Sequence, residues 1–171
     1  MDSHPTSSQT TSPQTTSVDI QISETLSEQA RTFPNEQDLN LWISETLKTQ
    51  NARSLTHSEI SIRITDEQES AELNNLYRHK NSSTNILSFP AEIPDYVKSP
   101  LLGDLLICAP VLEREAKEQN KILSSHWAHI IIHGTLHLLG YDHIHEQDAS
   151  EMETLEIEIL KNLGISNPYH N

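Results

Sequence analysis

The chain has 171 residues, enough for one domain with a sizeable core. Its 11 basic and 25 acidic residues give a formal net charge of −14, which excludes bulk attraction to nucleic acid or to an anionic membrane. Cys108 is the only cysteine, so neither an internal disulfide nor a cysteine-based zinc cluster is possible.

Residues 1–17 are almost entirely Ser, Thr, Gln and Pro, a composition that cannot bury enough apolar surface to offset its ordering. They are expected to form a disordered tail ahead of a folded domain spanning 18–171. The tail lacks the arginines of an organellar transit peptide and the basic and apolar regions of a signal peptide. No apolar run approaches the roughly 20 residues that span a bilayer. A cytoplasmic protein without a membrane partner is therefore expected.

Val18, Ile20 and Ile22 alternate with polar residues and predict a strand. Leu39, Trp42, Ile43 and Leu47 stand at helical spacing and predict a helix over 35–50. Ile60, Ile62 and Ile64 alternate again, giving a second strand over Glu59 to Thr65. Asp66 is placed to cap the following helix, with Glu69 as its capping-box partner. That helix is expected to reach Arg78 and to bury Leu73, Leu76 and Tyr77.

Asn85 to Phe89 predicts a third strand, closed by Pro90, and Pro94 and Pro100 bound a loop. Asp104 to Cys108 predicts a fourth strand. Pro110 suits the first turn of a helix running to about Asn120. Ser125 to Leu139 is apolar around most of its circumference and predicts a buried central helix. Residues 146–163 predict an acidic amphipathic helix through Met152, Leu155, Ile159, Leu160 and Leu163, ended by Gly164. Strands alternating with helices, then helices alone, point to a single α+β domain.

Six of the ten histidines lie between His126 and His145. His133 and His137 are four apart on the predicted central helix, so both rings leave one face and can grip a single metal ion. Gly140 can turn the chain back with positive φ, bringing His143 in as a third ligand. Three protein ligands leave a tetrahedral zinc one open position, the pattern of a catalytic site. His129 shares the helical stripe, but about 12 Å of rise separates it from His137. It is expected to be a partly buried histidine, either of the core or supporting the site, rather than a ligand. The spacing also matches the H-E-x-x-H-x-x-G-x-x-H pattern of metzincin peptidases, except that Gly134 stands where their glutamate base belongs.

The run His133-Gly-Thr-Leu-His137-Leu-Leu-Gly140-Tyr-Asp-His143 resembles the signature of the YbeY family of bacterial endoribonucleases and rRNA maturation factors. Two further stretches are similar to family motifs. They are Glu72-Leu-Asn-Asn-Leu-Tyr-Arg78-His-Lys80 leading to Thr84-Asn-Ile-Leu-Ser-Phe-Pro90, and Gly103-Asp104-Leu-Leu-Ile-Cys108. The resemblance covers about residues 55–169, with Asn81 and Ser83 departing from the Asp and Pro common in the family. It implies an α+β domain with a mixed sheet of about four strands and one Zn2+ in a cleft. The implied activity is cleavage of single-stranded RNA in 16S rRNA 3′-end maturation and ribosome quality control. The implied partners are an rRNA precursor and the ribosomal small subunit or its associated proteins; DNA is not expected. By residue type alone, Arg78 is either a phosphate partner or a surface arginine in an ion pair; the resemblance favours contact with the scissile phosphate. Asp142 is expected in a turn, Tyr141 in packing, and His145, Glu146, Asn85 and Ser88 are candidates for the rim of a cleft. A metallopeptidase and a non-catalytic ribosome assembly factor are the competing functions.

Overall fold

Alternation along one strand sets the two faces of the sheet. In the computed structural model, which describes residues 15–49, 57–142 and 144–169, β2 (His57–Thr65) buries Ile60, Ile62 and Ile64 on one side. It turns Arg63 and Thr65 to the other. On one flank β2 pairs in parallel with β1 (Thr15–Ile22), and on the other with β4 (Leu101–Cys108). β3 (Ile86–Pro90) runs antiparallel to β4 at the sheet edge, giving the order β1-β2-β4-β3. Registered neighbours share a face, so Val18, Ile60, Ile62, Leu105, Ile107 and Ile86 form one apolar surface.

Helices cover that surface. α2 (Glu36–Lys48) lays Leu39, Trp42, Ile43 and Leu47 on it, with the Asn35 side chain accepting from the Asp38 amide at 2.8 Å. α5 (Leu123–Leu138) is the central helix and packs against α2, β3, β4, α4 (Ala109–Glu118) and α6 (Glu146–Asn162). It is buried nearly all round, as its apolar run predicts. Gly134 makes the close approach to the sheet possible: a Cβ there would stand 2.4 Å from Ile86 Cδ1 and 3.0 Å from Leu105 Cδ2. The helix ends where Gly140 takes φ of 101° and the Tyr141 amide donates back to the Leu136 carbonyl at 3.0 Å. The architecture is a single α+β domain with a mixed four-stranded sheet. No described helix is long and apolar enough to cross a membrane.

Four differences from the sequence reading have physical reasons. β1 begins at Thr15 rather than Val18, because Thr15 to Ser17 pair with His57 to Glu59. The remainder of the expected tail, residues 1–14, lies outside the described residues. β4 begins at Leu101, extended by pairing with Glu59. A short helix, α1 (Glu24–Ser27), buries Leu26 and was not predicted. The largest difference is α3 (Glu67–Arg78), which lies on the face of Arg63 and Thr65, away from the core.

The expected burial of Leu76 and Tyr77 is therefore wrong: they are 65% and 59% exposed, and Leu73 is half-buried. The buried residues of α3 are polar. Ser70 Oγ donates to the Thr84 carbonyl and accepts from the Thr84 amide, both at 3.1 Å, while Asn74 Nδ2 donates to the Ser82 carbonyl at 2.7 Å. Asp66 caps α3 through the Glu69 amide at 2.9 Å, as predicted. The Glu69 carboxylate does not complete a capping box; it accepts from Arg63 Nε at 2.7 Å and from Thr65 Oγ1 at 2.6 Å.

Two stability measurements check this packing. Gly134→Ala should lower stability in urea denaturation by about 1–3 kcal/mol through overpacking, outweighing the roughly 1 kcal/mol that alanine gains over glycine in a helix. A stabilised variant would show that Ile86 moves aside freely. Asp66→Ala should cost about 1 kcal/mol at neutral pH. The Glu69 amide and the Thr25 hydroxyl hold the Asp66 carboxyl below its usual range. Its contribution is thus complete above the unfolded carboxylate range and lost as pH falls through the lowered value. The gap between wild type and Asp66→Ala should close on acidification.

Candidate metal centre

Beyond its first turn, the accessible residues of α5 are His133 and His137. His133 and His137 are half-buried while Gly134, Thr135, Leu136 and Leu138 are buried around them. Their Nε2 atoms face one another at 3.1 Å. Each ring is held from behind. His137 Nδ1 lies 2.9 Å from the Tyr141 carbonyl, which can only accept, so that nitrogen carries the proton. His133 Nδ1 lies 2.5 Å from Glu156 Oε1 and donates to it. Both Nε2 atoms therefore present lone pairs to the same point. Two ligands on a tetrahedral zinc with bonds of about 2.05 Å stand about 3.3 Å apart. The pair thus suits a borderline cation such as zinc without rearrangement.

Glu156 is the anchor behind this pair and was not anticipated from the sequence. It is fully buried on α6. Its second oxygen accepts from His129 Nε2 at 3.1 Å and from the Tyr169 hydroxyl at shorter range. Burial opposes its ionisation, but donation from His129, His133 and Tyr169 outweighs burial and holds the carboxyl down at about 2. Burial, together with Glu156, pushes the Tyr169 hydroxyl well above its usual range, so it stays a donor. His129 is buried, its Nε2 donates to Glu156, and its Nδ1 has no hydrogen-bond partner among the described residues. It is one carboxylate removed from His133. The signal for Glu156 was present: it stands four residues from both Met152 and Leu160, inside the apolar stripe of an otherwise acidic helix. Nothing comparable marks Tyr169.

The remaining predicted residues scatter. His143 lies outside the described residues. No group of three potential ligands converges among the described residues. Arg78 is exposed at the last turn of α3 and makes no hydrogen bond or ion pair among the described residues, so none joins it to the histidines. Ser88 sits on the α5 side of β3, with its Oγ 3.4 Å from where a Gly134 Cβ would be. Tyr141 packs against the core, Asp142 is exposed after the Gly140 turn, and Glu146 opens α6 behind its N-cap His145. Asn85 reaches Glu115 at 3.4 Å, and Glu115 accepts from the buried His126 at 3.2 Å. These three line a cavity of about 990 Å3 with His129 and Tyr169; neither His133 nor His137 reaches it.

Gly134 decides one chemical question. Its missing side chain would point into Ile86 and Leu105, not toward the histidine pair. A glutamate base of the peptidase kind has no room at this position.

Comparison with known proteins bears on the fold and the family. The chain is similar in fold to the solution structure of TM1509 from Thermotoga maritima, with a TM-score of 0.52 and 21% identity over 90% of this chain and 99% of that one. The family model described as endoribonuclease YbeY matches residues 21–164, most of the chain and all of α2 to α6. The chain belongs to the YbeY family of endoribonucleases.

Proposed function

We propose that this chain is a zinc-dependent endoribonuclease acting on single-stranded RNA, with one Zn2+ held by His133, His137 and His143. Its proposed substrate is an rRNA precursor, and its proposed task is 16S rRNA 3′-end maturation and ribosome quality control in the cytoplasm. The ribosomal small subunit or its associated proteins are the proposed partners. The observation that carries the reading is the pair of Nε2 atoms facing at 3.1 Å with both Nδ1 atoms engaged, in a member of an endoribonuclease family. His143 enters as third ligand on its spacing beyond the Gly140 turn.

When bound, zinc supplies Lewis-acid polarisation of a phosphoryl oxygen and acidification of water. The chain's residues supply the rest. Glu156 and the Tyr141 carbonyl fix the tautomers of His133 and His137, keeping their lone pairs aimed outward. Arg78 offers a guanidinium to the phosphate as charge develops on it. A metallopeptidase is disfavoured because the buried environment of Gly134 leaves no place for its base.

Metal analysis of the purified protein should find one zinc per chain, and His137→Ala should lose both the zinc and cleavage of single-stranded RNA. Turnover of unstructured protein, abolished by His137→Ala while RNA stays intact, would overturn the assignment. Glu156→Gln should weaken zinc about 10–100-fold in chelator competition. Arg78→Ala should slow cleavage about 100-fold with zinc content unchanged. An assembly factor without catalysis would instead show no RNA cleavage in any variant. End-group analysis separates the two nucleophiles: a 2′,3′-cyclic phosphate product would rule out direct attack by water and assign it to the RNA's own 2′-hydroxyl.

A further inference from the structure

The exposed end of α3 has a composition unlike the rest of the surface. Leu76 and Tyr77 stand in solvent, and the Tyr77 ring packs edge-on against Phe89 with centroids 5.0 Å apart and planes at 64°. Directly after them come Arg78, His79 and Lys80, all exposed and without ion-pair partners among the described residues. In a chain of net charge −14, three consecutive basic side chains without carboxylate partners form a local exception to the field.

The backbone fixes this group in place. His79 takes the left-handed conformation, φ 57°, as the C-cap of α3, and the Lys80 amide donates back to the Asn74 carbonyl. Ser70 and Asn74 bond the segment after the cap to the buried side of the helix. An exposed aromatic ring on a pre-fixed helix end loses little freedom when a planar ligand stacks on it.

We propose that Tyr77 and Phe89 form a stacking platform for the bases of single-stranded RNA, with Arg78, His79 and Lys80 taking the adjoining phosphates. This rests on the nuclease reading above and adds how the substrate is held. An exposed aromatic, Tyr77, backed by the half-buried Phe89 and beside a basic run matches the two demands of single-stranded nucleic acid, a π-face for the base and cations for the backbone. A partner helix would need a longer apolar stripe: Leu73 shares the face of Leu76 and Tyr77 but is half-buried within the fold, and Lys80 follows them. Position also favours RNA. β3 is an edge strand; its Ser88 side faces Gly134, the neighbour of His133, and its Phe89 side faces Tyr77. The platform therefore lies on one face of the edge strand, and the helix that carries the histidine pair packs on the other.

The test uses the full, zinc-loaded chain and fluorescein-labelled single-stranded oligo-A and oligo-U, read by anisotropy. Tyr77→Ala should weaken binding at least about five-fold and raise KM more than it lowers kcat, with zinc content and thermal stability unchanged. Tyr77→Phe should bind like the wild type, because stacking needs the ring and not the hydroxyl. If the wild type cleaves RNA and Tyr77→Ala binds as tightly, the platform is wrong and the nuclease reading stands. If the wild type binds but never cleaves, and Tyr77→Ala binds weakly, the platform stands and the nuclease reading falls. Equal affinity for a duplex, whose bases are already stacked, overturns the platform. So does a Tyr77→Ala variant that keeps RNA affinity but no longer sediments with small ribosomal subunits, which would assign the patch to a protein contact.

Discussion

The buried carboxylate of Glu156 is the constraint on which the rest of the site depends. An ion removed from water must be matched by donors, and losing one donor leaves a charge uncompensated. Here three groups supply the match: His133 and His129 on α5 and Tyr169 beyond α6. One side chain therefore holds two helices and the C-terminal segment in a single relation. It also sets the protonation of His133, because a carboxylate at Nδ1 forces the lone pair to Nε2. The tautomer that His133 presents is thus set from behind by a residue on another helix.

The second constraint is the distance between α5 and the sheet. The helix can approach β3 and β4 only where it lacks a side chain, and Gly134 supplies that place. Successive helical residues point about 100° apart, so the residue after His133 faces the sheet when His133 and His137 face outward. A peptidase that needs its base at that position must set its helix differently. The difference between glycine and glutamate is therefore one of helix placement as much as of a missing proton acceptor.

Much of this was legible beforehand for one reason: the core is apolar and periodic. Ile60, Ile62 and Ile64 declared a strand half-buried on one face, and the run from Trp127 to Leu138 declared a helix buried on nearly every face. Gly140 and Gly164 ended their helices with the positive φ their positions called for. What stayed hidden depends on partners distant in sequence. Thr15 to Ser17 are polar and are strand only because β2 offers them a ladder. Leu76 and Tyr77 were misread because periodicity shows that residues share a face, not what that face meets; Ser70 and Asn74 became the buried anchors instead. The histidine pair was legible because its geometry is local to one helix. Its support was harder to read: Glu156 stands inside the apolar stripe of α6, which marks it as buried, but it lies 23 residues beyond His133 and nothing local names its partner.

The charge of the chain poses the last physical question, how a protein of net charge −14 would hold a polyanion. Affinity built on many phosphate contacts releases many counterions and falls steeply with salt, and a net charge of −14 opposes it. Affinity built on stacking needs only a few cations to place the backbone. The basic run from Arg78 to Lys80 beside two aromatic rings is of that second kind. With the proposed substrate, the surrounding acidity would act as a filter. Long-range repulsion would discourage duplexes and loosely held strands, while a single strand with accessible bases would gain from stacking contacts at close range. On this reading the acidic composition is compatible with an RNA substrate and biases the choice among RNAs toward those whose bases are free to leave the stack.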